Sequence, residues 1–137
     1  MTSRVRYARI TLYLTAIICI PIGLVYIFKP GLMPYHIEFL GKAESELDPR
    51  VLKLLVLAKK LIGGLALTIG GTLAIITWNI QSAPRWLILS LLWLVSVPFI
   101  ATGYVVSNVR GLIPLLGIIL LAAVAFTGVI SAARDRA

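Results

Sequence analysis

Acidic side chains are scarce in this sequence: five Asp or Glu stand against 13 Lys or Arg, for a formal charge of +8 over 137 residues. There is one cysteine, Cys19, and one histidine, His36. Each shortage excludes a class of chemistry. A lone cysteine forms no intrachain disulfide and no C-x-x-C redox or zinc pair, and Cys19, inside an apolar stretch, reads as a buried structural thiol. One histidine does not make a metal centre, which needs several convergent donors, so neither a metal nor a cofactor is expected. The paired glycines are not followed by Lys-Ser/Thr, as a phosphate loop requires. Serines and threonines of the apolar stretches have no histidine near them in sequence, and the chain is expected not to be an enzyme. The basic excess does not form a stripe with interleaved aromatics, so nucleic acid is not an expected partner.

What the sequence does have is apolar length. It is 60% apolar and 13% charged, where a soluble domain runs nearer half and a quarter respectively. Four successive windows of roughly 18 or more apolar residues are each long enough to cross a hydrocarbon core of about 30 Å. Lipid cannot hydrogen-bond an open strand edge, so the expected fold is all-α: an integral membrane four-helix bundle in a single domain. The spans are placed at about 10–28, 49–78, 85–106 and 112–132, with an extramembrane loop at 29–48. Four crossings put both termini on the same side. Arg4, Arg6 and Arg9 precede the first span, but no small-x-small cleavage pattern follows it, so a cleaved signal peptide is not expected.

Local signals mark the boundaries. Lys29-Pro30-Gly31 stops the first helix, with Met33, Phe39 and Leu40 expected along the interface. Asp48-Pro49 starts the second span, the carboxylate capping free N–H groups and Pro fitting the first turn. A helix over 49–78 would be roughly 45 Å long, about a third longer than the hydrocarbon thickness, so its first turns should project or tilt. Pro21 and Pro98 sit mid-span and predict kinks, because proline removes a donor and clashes with the preceding turn. Ser107 to Gly111 reads as a tight turn into the fourth span. Gly63, Gly64, Gly70 and Gly71, with Thr68 and Thr72, form a strip of small residues suited to close helix packing.

The predicted spans contain no Asp or Glu. Proton-coupled transporters ordinarily keep a titratable group at depth, so transport loses ground. The remaining ionisable candidates are Tyr35, His36, Glu38, Lys59 and Lys60, near one interface. One reading makes them a polar pocket in which Lys60 binds a lipid head group, a quinone carbonyl or an acidic partner. The plainer reading has the lysines snorkelling and His36 solvated in the loop.

The run Met33-Pro34-Tyr35-His36, then Leu40-Gly41, Leu47-Asp48-Pro49 and Gly63-Gly64, resembles small four-helix bacterial membrane proteins of uncharacterised function. The likeness covers residues 30–71. It implies the same topology, lends weight to Tyr35 and His36, and supplies no reaction; the Lys59-Lys60 pair departs from it.

The expected function is a non-catalytic accessory or structural subunit of a larger membrane complex, with membrane lipids and other subunits or self-association as partners. One alternative is a small oligomeric transporter or channel, its path lined by Thr68, Thr72, Ser96 and Thr102. Another is a lipid- or quinone-binding membrane protein using His36 and Lys60. The expected location is the cytoplasmic (inner) membrane of a prokaryote. Lys and Arg counts on the two sides nearly tie, but the three N-terminal arginines favour cytoplasmic termini. A reporter fused after Ala137 should therefore read out on the cytoplasmic side, and activity on the external side would reverse the topology.

Overall fold

The computed structural model describes residues 2–109 and 112–135 and is all-helical, with no strand among them. Four long helices, α1 (Ser3–Phe28), α3 (Pro49–Trp78), α4 (Arg85–Val109) and α5 (Leu112–Arg134), are joined by loops and a short helix, α2 (Pro34–Leu40). All four are long and apolar enough to cross a membrane, and the chain is a multi-pass membrane protein.

The second span matches its expected bounds, because its signals are explicit. Asp48 Oδ1 accepts from the backbone N–H of Arg50 at 2.8 Å and of Val51 at 3.4 Å, and Pro49 occupies the first position. The first helix instead starts at Ser3, seven residues before the apolar window opens at Ile10. Thr2 caps it, its hydroxyl accepting from Val5 N–H. Hydropathy locates where a helix meets lipid, not where its hydrogen bonding begins, so a basic first pair of turns escaped it. α4 and α5 likewise run two or three residues past the expected ends of their spans. Ser107 and Asn108 lie within α4, where both side chains bond back to Tyr104 O; Arg110 and Gly111, the rest of the expected turn, lie outside the described residues, as does Arg136. α1 and α4 continue as helix through Pro21 and Pro98.

α1 is the centre of the assembly. It packs against α3 on one side and α5 on another, and α5 packs against α4; α3 and α4 hardly touch although they are consecutive. The termini share one end, where Thr2 Oγ1 donates to Asp135 Oδ1 at 2.7 Å. The core gathers toward that end: Ala8, Leu12, Leu73, Ile88, Leu91, Val95, Ala125 and Val129 are almost fully buried. Beyond Val95 in α4, and before Ala125 in α5, no described residue is buried. The far half of that hairpin shows Ile100, Tyr104 and Leu120 to the surroundings, as suits contact with lipid.

The small-residue strip of α3 divides in two. Gly63 and Gly70 face α1 so closely that a Cβ on Gly63 would stand 2.8 Å from Gly23 O, and one on Gly70 2.7 Å from an Ile20 side-chain carbon. Gly64 and Gly71, 100° further round the helix, have open space at the same position. Thr68 is exposed and bonds back to Gly64 O at 3.0 Å, while Thr72 is half-buried. The strip expected from the sequence is thus split between two faces. Adjacent glycines cannot share a face at 3.6 residues per turn. Backbone-to-backbone approach at Gly23–Gly63 replaces the hydrophobic drive that lipid removes.

Gly63→Ala should therefore destabilise the isolated chain in detergent by about 1–3 kcal/mol, since the rigid backbone of α1 must move. Gly64→Ala should be neutral or gain up to about 1 kcal/mol from helix propensity. Thermal unfolding of the two variants separates them; equal losses would contradict the packing.

Candidate functional site

A buried lysine and its polar partners lie where the 29–48 segment closes over the α1–α3 pair. It begins with the end of α1. The last carbonyls of a helix have no intrahelical partner and carry the negative end of its dipole. Here Lys59, 1% exposed, reaches from α3 to that end. Its Nζ donates to Lys29 O and Gly31 O, each at 2.5 Å. Gly31 can turn its carbonyl inward because it adopts φ +65°, a left-handed conformation that costs glycine nothing.

Glu44 completes the closure from the 3-10 turn Glu44–Glu46. Its Oε1 accepts from Leu32 N–H at 2.5 Å, and its carboxylate lies against Gly31, where a Cβ would meet it. Leu32 and Met33 are buried beneath the turn. Met33 was expected along the interface; it is buried instead, directly after the Gly31 and Leu32 backbone groups that Lys59 and Glu44 hold, while Phe39 is exposed.

The sequence-derived candidates fall around this lock in different roles. Tyr35 bonds hydroxyl to hydroxyl with Tyr26 of α1, pinning α2 to the bundle. His36 is half-buried: its Nδ1 accepts from Met33 N–H at 3.3 Å, and its ring stands edge-on to Tyr35 with centroids 4.2 Å apart. Both residues thus tie down the loop, with His36 half-buried in it. Glu38 and Lys60 are exposed. The pocket reading centred on Lys60 is corrected: it is Lys59 that points inward, and it contacts backbone carbonyls of its own chain. Two clefts lie at the opposite end, one lined by Ser3, Arg6, Tyr7 and Ile10, the other by Tyr13, Ala74, Ile75, Trp78 and Asn79.

A matching contact that sequence reasoning missed joins the same two helices at that opposite end. Arg9 of α1 donates from Nη2 to Trp78 O, the last residue of α3, at 3.1 Å. Each helix of the antiparallel pair thus lends a cation to the carbonyl end of the other. The signal was present in the spacing, since Lys59 lies four residues before Gly63 and therefore on the same face. Nothing local says whether that face or the one bearing Lys60 and Gly64 turns inward.

The groups assembled here are donors and acceptors already matched to one another, and they build a structural lock. Among the described residues no cluster of three or more His, Cys, Asp or Glu is placed to hold a metal. Comparison with known proteins finds no matching family model, curated protein or solved structure.

Lys59→Met should release the 29–48 segment. Losing hydrogen bonds made by a charged group costs about 1.5–3 kcal/mol, which raises local opening tenfold or more. Tryptic cleavage at exposed Lys42 should accelerate accordingly, and Lys60→Met should leave it unchanged. Equal acceleration by both variants would refute the lock.

Proposed function

We propose that this chain is a non-catalytic component of a larger membrane assembly that docks on its partner through the outer face of α3. The observation that carries this reading is the pair Gly64 and Gly71, with exposed Thr68 between them, on a membrane helix where a Cβ at either glycine would meet nothing within 4 Å among the described residues. Glycine lowers helix propensity by about 1 kcal/mol relative to alanine. Against lipid it brings no compensating contact, whereas against another helix it permits close backbone approach. The inner pair, Gly63 and Gly70, illustrates that use against α1. The Thr68 hydroxyl is bonded within its own helix, so the face offers shape more than polarity.

A transport path within one chain has less support. Ser96 and Thr68 each bond to their own helix backbone, and α3 and α4 hardly meet.

The test is gentle extraction from the native membrane, followed by native mass and composition. Fixed-ratio partners are expected, released by Gly64→Leu with Gly71→Leu while the chain keeps its own thermal stability. A chain that runs alone as a symmetric oligomer would move the transporter reading forward. A lone monomer, or a complex indifferent to the double substitution, would end the accessory-subunit reading.

A further inference from the structure

The two ends of the molecule differ in the kind of charge they carry. All five lysines and four of the five acidic residues lie in or beside the loop that covers one end: Lys29, Lys42, Lys53, Lys59 and Lys60 with Glu38, Glu44, Glu46 and Asp48. The terminus-bearing end has no lysine. Its described cations are Arg4, Arg6, Arg9, Arg85 and Arg134, and its one described acid, Asp135, accepts from Thr2 Oγ1. Trp78 and Trp86 are exposed at this end, at 73% and 70%, with Tyr7 half-exposed. Exposed tryptophan and tyrosine beside apolar helix mark the level of lipid head groups.

At that level lies the cleft of about 340 Å³ bounded by Ser3, Arg6, Tyr7 and Ile10. These positions fall at i, i+3, i+4 and i+7 of α1 and so share a face. The polar donors stand at the outer part, and Ile10, 62% exposed, at the part nearer the membrane centre. Tyr7 is held in place because its hydroxyl pairs with Thr127 of α5 at 3.2 Å. Arg6 is exposed, and Arg9 follows one helical turn deeper. Guanidinium groups match phosphate with paired, charge-assisted hydrogen bonds, which an ammonium does not reproduce. The order from outside inward is hydroxyl, guanidinium, aromatic ring and aliphatic chain, the order of groups met along a phospholipid.

We propose that this cleft binds an anionic phospholipid, with Arg6 as the phosphate ligand, Arg9 adding charge below it, and the acyl chain lying along Ile10. The site is separate from the Gly64–Gly71 face and does not depend on the proposed function.

The experiment is native mass spectrometry of the full chain, delipidated in detergent and then supplied with phosphatidylglycerol or phosphatidylcholine. Wild type should retain phosphatidylglycerol in preference, and Arg6→Gln should lower that retention about tenfold, the loss expected for a charged hydrogen bond. Arg6→Lys should recover only part of it. Lys60→Gln, at the other end, should change nothing, and all variants should unfold at the wild-type temperature without lipid, since Arg6 is exposed. Equal retention of the two lipids overturns the proposal, and so does an equal loss in Lys60→Gln, which would mark diffuse charge. Displacement of the lipid by inorganic phosphate alone would also overturn it, because the tail would then contribute nothing.

Discussion

A cation inside a membrane helix has to find negative charge, and this chain places no carboxylate in its spans to provide it. The solution is the carbonyl end of a neighbouring helix. Lys59 of α3 lies on the end of α1, and Arg9 of α1 lies on the end of α3. A helix C-terminus carries roughly half a negative charge and several unpaired acceptors, so each contact answers two deficits at once. Because the helices are antiparallel, the two contacts stand at opposite ends and fix the pair against sliding. The order of the remaining parts follows from that pair.

The approach of α1 and α3 is consistent with this arrangement. Gly23 and Gly63 bring the backbones together within reach of a lysine side chain, and the same glycine face continues to Gly70. Moving the helices apart by one side chain would take Nζ of Lys59 off its carbonyls. The loop is then no free connection: Gly31, Leu32 and Glu44 are drawn under the bundle end, and Tyr35 and His36 secure the short helix above them. Polar residues that look like a binding site in the linear sequence are largely consumed in closing the protein's own structure.

The outer surfaces divide by what they lack. The loop end mixes lysines with acids, which balance one another in part. The terminus end carries arginine with little opposing charge, beside exposed Trp78 and Trp86. Between the ends, α3 turns a second glycine pair outward, and the described residues in the far half of the α4–α5 hairpin include none that is buried. A protein of this size has few internal contacts to spare, and its unpartnered faces are where binding to lipid or to another chain is to be sought.

The class of fold was legible from composition and run length alone, since hydrocarbon admits only backbone that is internally hydrogen-bonded. The α3 bounds were legible as well, because Asp48-Pro49 states a helix start through local hydrogen bonding. The beginning of α1 was not, because Arg4 and Arg6 conceal helix from a hydropathy reading. The inward face of α3 was also beyond the sequence. Lys59 with Gly63 and Gly70, and Lys60 with Gly64 and Gly71, are the same pattern displaced by one residue. Either register presents a lysine above two glycines, and local propensity does not distinguish them. Only the tertiary structure decided between them, because the choice rests on which face meets Gly23 of α1 and the carbonyls of Lys29 and Gly31, residues roughly 30 to 40 positions away along the chain.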